Sequence, residues 1–263
     1  MSGEAVVFEV AEGRRITLGS PSVLALANGR LLAAFDQMGP DVKGLPGLRG
    51  HDARTNHWIQ GRVMSSTDGG ATWKSTATYP FRHATLFRDG GDVYLLGEAD
   101  GGLRLMRSPD GGTSWSSPAE VSGDRGIWVE PGCVAAEGGW WYAAGMSGKK
   151  LVVARAPRGA SLMNRKAWSL GAAEFEPAAA FGTGGGWGVP GVKGGAVEWS
   201  HPRWVKAEAE GHPAKGRLLL WGTTACGREH RGAFVAVDGE TLKAGLLETD
   251  AGPWCWGDRK SVV

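Results

Sequence analysis

A segment of a dozen residues occurs twice in this chain. The first copy is MSSTDGGATWKS at residues 64–75, and the second is MRSPDGGTSWSS at residues 106–117. Asp68 of the first copy aligns with Asp110 of the second, which gives an offset of 42 residues. A fixed period of about 40–50 residues is typical of repeat proteins, and it suits either a four-stranded propeller blade or a unit of a helical array. The repeat therefore limits the fold to a few architectures.

The local composition favours strands over helices. The 263 residues include 44 glycines, and short apolar runs alternate with Gly-rich turns. In each copy an apolar or alternating run, GRVMSS or LRLMRS, leads into Asp-Gly-Gly and then to a tryptophan. Asp-Gly between such runs is a strong hairpin signal, because glycine adopts positive φ easily and the aspartate can bind turn amides. We predict that Trp73 and Trp115 fold back over their own hairpins, with Ser66 and Ser108 bracing the turns.

The same rhythm continues along the chain. Residues 22–36, 84–98, 133–146 and 203–222 each read as strand, Gly-rich turn, strand. Residues 150–168 resemble a copy of the repeat in which a longer loop replaces the tight turn. We therefore predict an all-β propeller of four-stranded blades, each an inner hairpin followed by an outer one, with four to five blades in this chain.

Composition argues against several functional classes. The formal net charge of +2 gives no reason to expect a nucleic-acid partner, and no apolar run approaches the length of a membrane span. Cys133, Cys226 and Cys255 are too dispersed to predict a disulfide framework or a zinc site, so no metal and no cofactor is expected. The N-terminal residues lack the apolar segment of a signal peptide, which predicts a cytoplasmic protein if this N-terminus is complete.

The repeated pattern Ser-x-Asp-x-Gly-x-Thr-Trp resembles the Asp-box of the sialidase (neuraminidase) superfamily. Residues 66–73 match it in full, and residues 108–115 match it with Ser114 in place of threonine. The resemblance implies a sialidase-like β-propeller of six blades, with the boxes at the blade periphery. The residues to which it assigns this structural role are Ser66, Asp68, Gly70, Trp73, Ser108, Asp110, Gly112 and Trp115.

The resemblance also implies a chemistry. Enzymes of the family are exo-acting, retaining glycosidases in which three arginines clamp the substrate carboxylate, an aspartate is the acid/base, and a tyrosine assisted by a glutamate is the nucleophile. This sequence departs from that pattern, because Gly19-Ser20-Pro21 stands where the family has Arg-Ile-Pro and LLLWGTTA lacks the second arginine. Asp36 and Asp52 are the predicted acid/base residues, with Asp41 as another candidate.

Residues just before the innermost strands of a propeller converge on its axis. Here those four positions carry Ser20-Pro21, Arg82-His83, Glu130-Pro131 and His201-Pro202. The predicted substrate-binding residues are Arg82, His83, Glu98, Glu130, Glu198, His201 and Trp58. Trp58 comes from the segment 36–60, which we predict to be a long loop without regular structure. The alternative interpretation is that these polar groups are solvated residues that cap the strands.

Two functions follow from these residues. The first is a sialidase-like exo-acting glycoside hydrolase, or a fragment of one, with a degenerate arginine clamp. The second is a non-catalytic propeller that binds a glycan or a protein through the same axial face. The Asp-box propellers of photosystem assembly and of sorting receptors share the boxes, but nothing in the sequence supports that class specifically. A glycan or glycoside is the expected partner in the first case.

The C-terminal end of the sequence differs from the rest. Residues 258–263, Asp-Arg-Lys-Ser-Val-Val, continue no strand pattern and match the translation of a common sequencing adapter. We interpret residues 1–257 as a single, incomplete propeller domain and residues 258–263 as a non-native tail.

Overall fold

The computed structural model describes residues 5–52, 56–123, 126–147, 150–172, 198–206, 218–226, 229–237 and 244–248. In these residues, regular structure other than β-strand is limited to two short 3-10 helices. None of their helices is long and apolar enough to cross a membrane. In chain order the strands are β1 (Thr17–Ala25), β2 (Leu31–Met38), β3 (Gly50–Asp52), β4 (His57–Ser66), β5 (Lys74–Tyr79), β6 (Arg82–Asp89), β7 (Asp92–Ala99), β8 (Gly102–Ser108), β9 (Ala119–Glu120), β10 (Ile127–Glu137), β11 (Trp140–Ser147), β12 (Lys150–Pro157), β13 (Ser169–Ala172), β14 (Glu198–Lys206), β15 (Leu218–Cys226), β16 (Glu229–Val237) and β17 (Ala244–Glu248).

The strands form four antiparallel sheets, which we call blades 1 to 4. Blades 2, 3 and 4 each contain four strands paired in chain order, β6 to β9, β10 to β13 and β14 to β17. In blade 1, β1, β2 and β4 pair in sequence, and β3 and β5 pair with different parts of the free edge of β4. The prediction of an all-β, blade-based propeller is therefore confirmed. The tail predicted at residues 258–263 lies outside the described residues.

The first strands of the blades lie next to one another around the axis of the molecule. Each of them, β1, β6, β10 and β14, contains a bulge near its start. The bulges fall between Gly19 and Ser22, Arg82 and Thr85, Val129 and Val134, and Ser200 and Arg203. Ser20 and His83, which lie inside the first two bulges, have φ angles of 52° and 55°. A bulge redirects the side chains of its strand, and all four polar positions predicted before the inner strands lie at such a break in strand pairing.

Apolar faces of neighbouring blades pack against each other, and their burial is the main favourable contribution to folding. Buried side chains between blades 1 and 2 include Leu32, Val63, Phe81, Leu95 and Met106. Those between blades 2 and 3 include Phe87, Leu105, Val129, Trp141 and Trp168.

The two copies of the repeated segment form the same turn. Ser66 Oγ accepts a hydrogen bond from the amide of Gly70 (2.9 Å) and donates one to Asp68 Oδ1 (2.7 Å). The carboxylate of Asp68 then accepts from the amide (2.9 Å) and the hydroxyl (2.6 Å) of Thr72, and Trp73 Nε1 donates to the carbonyl oxygen of Gly70. The corresponding bonds of the second copy join Ser108, Asp110, Gly112, Ser114 and Trp115. Each turn therefore satisfies its polar groups with its own residues.

The hydrogen bonds from Ser114 lower the pKa of Asp110 to about 2, so the carboxylate that organises the second turn stays ionised. A third turn, between β12 and β13, closes in a related way. Trp168 directly precedes β13, as Trp73 precedes β5, and its Nε1 donates to the carbonyl oxygen of Leu162 at 2.8 Å. The longer loop predicted for residues 150–168 thus keeps the tryptophan contact.

We expect Ser108→Ala to lower the free energy of unfolding by about 1–3 kcal/mol, because it leaves the buried amide of Gly112 without its acceptor. Urea unfolding followed by tryptophan fluorescence measures the loss. Ser117→Ala is the control, because Ser117 is exposed and a substitution there changes stability by no more than about 0.5 kcal/mol. Equal effects of the two substitutions would contradict this account of the turn.

Candidate functional site

Polar side chains from three blades meet at the bulged ends of the inner strands, with Arg82 at the centre. Arg82 Nη1 lies 2.8 Å from Asp52 Oδ2, and Arg82 Nε donates to Glu98 Oε1. The guanidinium carbon lies 4.4 Å from the centroid of the Trp128 ring, a distance typical of a cation–π contact. We call the whole group the axial cluster, and its members are Asp36, Asp52, Arg82, His83, Glu98, Trp128 and Glu130.

Asp36 lies on β2 and is fully buried, with 0% of its surface exposed. Its Oδ2 accepts a hydrogen bond from the backbone amide of His83 (2.7 Å), and its Oδ1 accepts one from the hydroxyl of Tyr79 (3.3 Å). Burial raises the pKa of Asp36 to about 7, although these bonds, a bond from Ser20 and the charge of Arg82 oppose the rise. Asp36 therefore titrates near neutral pH, and its hydrogen bond to the amide of His83 ties blade 1 to the bulge of blade 2.

Glu98 is the structural counterpart of Asp36 in blade 2. Asp36 pairs with Gly19 just before the bulge of β1, and Glu98 pairs with Arg82 just before the bulge of β6. The side chain of Glu98 is only 2% exposed, and its Oε1 lies 3.8 Å from His83 Nδ1. The two acidic residues predicted at strand ends thus enter one cluster, and both are buried in it.

Trp128 and Glu130 bring blade 3 into the axial cluster. The centroid of the Trp128 ring lies 5.0 Å from that of His83, and Trp128 Nε1 donates to Glu130 Oε1 at 3.4 Å. Glu130 stands inside the bulge of β10, which is the position that His83 has in β6. Equivalent positions of blades 2 and 3 therefore supply a histidine and a glutamate to the same cluster.

Asp52 reaches Arg82 from the segment that connects β2 to β4. The prediction that residues 36–60 lack regular structure is wrong. β2 continues to Met38, a 3-10 helix covers Pro40–Gly44, and β3 pairs with β4. Asp52 is the last residue of β3 and has 11% of its side chain exposed, so the position of β3 determines where this carboxylate lies.

A buried glutamine holds this segment against blade 1. Gln60 is fully buried on β4, and its Nε2 donates to the carbonyl oxygens of Pro46 (2.8 Å) and Leu48 (3.1 Å). Gly50 passes so close to the carbonyl oxygen of Pro80 that a Cβ atom would collide with it. Sequence analysis missed Gln60, because a single glutamine in a strand carries no signal of burial or of a distant partner.

Other predicted residues lie elsewhere. Asp41 forms an ion pair with Arg15 (2.8 Å), whose hydrogen bonds lower the pKa of Asp41. The Trp58 ring on β4 lies 5.1 Å from the ring of His51, and Lys43 Nζ lies 6.0 Å from its centroid.

Blade 4 contributes two of the predicted positions. Glu198 is the first residue of β14. His201 lies in the bulge of β14 between Ser200 and Arg203, the position that His83 occupies in β6.

No family model and no curated protein matches this sequence. Among solved structures, the chain is similar to the NanB sialidase of Streptococcus pneumoniae (TM-score 0.55, 8% identity, covering 91% of this chain and 49% of that chain). It is also similar to an α-L-arabinanase of Penicillium chrysogenum (TM-score 0.53, 17% identity, covering 88% of this chain and 66% of that chain). A third similar structure is a β-fructofuranosidase of Schwanniomyces occidentalis (TM-score 0.51, 11% identity, covering 95% of this chain and 49% of that chain). The chain spans about half the length of the sialidase and of the fructofuranosidase.

These similarities define the class of fold. Four blades of antiparallel strands around one axis, together with the likeness to the sialidase structure, define the fold as a β-propeller. The three neighbours named above are a sialidase, an arabinanase and a fructofuranosidase. Activity has to be argued from the residues of this chain, because one fold hosts many functions.

Proposed function

We propose that the axial cluster binds a glycoside and hydrolyses it by carboxylate acid/base catalysis. The observation that carries this proposal is the convergence of Asp36, Asp52 and Glu98 around Arg82 at the bulged ends of the inner strands. Most glycoside hydrolases use a pair of carboxyl groups that flank the scissile bond. The axial cluster brings three acidic side chains together, and the guanidinium of Arg82 pairs with Asp52 and Glu98.

Of the two predicted acid/base residues, Asp52 is the better placed to contact a substrate. It lies at the end of β3 and retains some exposure, whereas Asp36 is fully buried and both of its oxygens accept hydrogen bonds. We therefore assign the acid/base role to Asp52 and a positioning role to Asp36, which fixes the bulge that carries His83. The structural neighbours include an arabinanase in complex with arabinobiose and a fructofuranosidase in complex with fructosyl-erythritol, which supports a glycoside as the ligand.

A second function, glycan recognition without hydrolysis, is favoured by a different observation. The side chains of Asp36 and Glu98 have 0% and 2% of their surface exposed, and Arg82 pairs with both Glu98 and Asp52. Carboxylates engaged in this way hold the blades together. They suit a rigid binding face at least as well as they suit proton transfer.

Turnover on aryl glycosides distinguishes the two functions. The panel contains an α-sialoside, an α-L-arabinofuranoside, a β-fructofuranoside and the common hexosides. We expect hydrolysis of at least one member and a loss of about 100-fold or more in kcat/KM for Asp52→Asn, the range for removing an acid/base group.

Asp92→Asn is the matched control, because Asp92 lies in blade 2 and forms an ion pair with Arg107 outside the axial cluster. Glycan binding without turnover by the wild type would support the recognition function. The absence of both binding and turnover would contradict both functions.

A further inference from the structure

We infer that the glycoside taken by the axial cluster is uncharged, and that it is not an anionic sugar such as a sialic or uronic acid. The inference deepens the proposed function and rests on it. It follows from how Arg82 is engaged, from the charge of the groups around it, and from the hydrogen-bonding capacity that these groups offer to a sugar.

The guanidinium of Arg82 is already bound by carboxylates of the protein. A substrate carboxylate is recognised best by the two parallel N–H groups of a guanidinium fork. Here Nη1 binds Asp52 and Nε binds Glu98, and one face of the guanidinium lies on the Trp128 ring. An anionic sugar would have to displace an acidic side chain from Arg82 and leave that side chain without its cation.

Other arginines in the described parts of blades 1 and 2 are directed to their own partners. Arg15 pairs with Asp41, and Arg104 Nη1 lies 3.8 Å from Glu120. Arg62 Nε donates to Gln37 Oε1 at 3.1 Å, and the guanidinium of Arg62 lies over the Phe8 ring. These interactions direct the three guanidinium groups to partners outside the axial cluster.

Acidic side chains outnumber basic ones among the described members of the axial cluster. Asp36, Asp52, Glu98 and Glu130 supply four carboxyl groups, and Arg82 and His83 are the basic members. A further carboxylate brought to this site is repelled, and such like-charge contacts are strongly unfavourable when they are partly buried. Ionised carboxylates only accept hydrogen bonds, and the hydroxyl groups of a neutral sugar supply the matching donors.

Pairs of glycosides that differ only in one carboxylate test this inference. We would use 4-nitrophenyl glucoside and glucuronide, galactoside and galacturonide, each as both anomers, and an aryl α-sialoside with its methyl ester. Binding to the full chain is measured by ligand-observed NMR, and hydrolysis is measured by nitrophenolate release. We expect the neutral member of each recognised pair to be preferred by about tenfold or more.

Preference for the anionic member, or binding of neither member of any pair, would overturn the inference. Binding of neutral members without hydrolysis would refute the proposed hydrolase and leave the inference standing, so the two proposals fail separately.

A charge-neutralising variant supplies the second arm of the test. Asp52→Asn removes one negative charge and weakens a competitor for Arg82 Nη1, so we expect the neutral-to-anionic binding ratio to fall by about tenfold. Glu98→Gln is the second variant, because it removes the other carboxylate that binds Arg82. Asp92→Asn is the control, and we expect it to leave the neutral-to-anionic binding ratio unchanged. An unchanged ratio in both cluster variants would show that the protein's carboxylates do not set the preference, and it would overturn the inference.

Discussion

Replacement of Arg82 by alanine is expected to lower the free energy of unfolding by about 3–5 kcal/mol. The arginine side chain is 12% exposed and binds Glu98, which is 2% exposed, and Asp52, which is 11% exposed. Removing the guanidinium leaves two carboxylates together in a poorly solvated place. The substitution also removes the group that packs on the Trp128 ring. Chemical denaturation at pH 7 measures the loss.

Arg107→Ala is the matched control in the same blade. Arg107 Nε lies 2.7 Å from Asp92, but the two side chains are 44% and 26% exposed. Exposed ion pairs of this kind contribute about 1 kcal/mol or less. The double variant Arg82→Ala with Glu98→Gln should recover part of the loss, because it removes one of the uncompensated charges. Equal losses for Arg82→Ala and Arg107→Ala would mean that water solvates the axial cluster as well as it solvates the surface.

The blade architecture was predictable because its determinants are local in sequence. In the first turn, the bonds that join Ser66, Asp68, Gly70 and Thr72 span four residues or fewer. A turn that satisfies its own polar groups forms wherever its residues occur. The repeated motif therefore predicts the hairpin directly. The inner hairpins were equally visible, since each is two apolar runs around a Gly-rich turn.

The positions of the site residues were predictable for a related reason, but their environment was not. The start of each inner strand follows from the hairpin pattern, so sequence indicated where Arg82 and His83 lie. The burial of Asp36 depends on Tyr79 and His83, which are 43 and 47 residues away. Tyr79 is fully buried, and its hydroxyl donates to Asp36, a contact that the local sequence does not indicate.

The segment before β4 illustrates the same limit. Its glycines and prolines predicted a loop, since these residues are typical of turns. The structure orders it through the buried amide of Gln60 and through the close approach of Gly50 to Pro80. Gly50 is needed there for close contact with Pro80, which lies between β5 and β6, a requirement that only the tertiary structure shows.

We expect the stability of the protein to depend on pH through Asp36. Its pKa is about 7 in the folded protein, against about 3.9 for an aspartate in an unfolded chain. The folded state therefore holds the proton more tightly. The contribution of Asp36 to the free energy of unfolding is fully present below about pH 4 and is lost as the pH rises through 7. Between pH 5 and pH 8 this loss amounts to about 3 kcal/mol.

Asp36→Asn isolates this contribution, because asparagine does not titrate and its carbonyl oxygen still accepts from the amide of His83. The difference in unfolding free energy between wild type and variant should fall by about 3 kcal/mol from pH 5 to pH 8, in favour of the variant. Histidines that titrate in the same range are present in both proteins and cancel in the difference. A constant difference for Asp36→Asn would show that Asp36 ionises in the folded protein as readily as in the unfolded chain. Asp36 would then be accessible to water and as well suited to the acid/base role as Asp52.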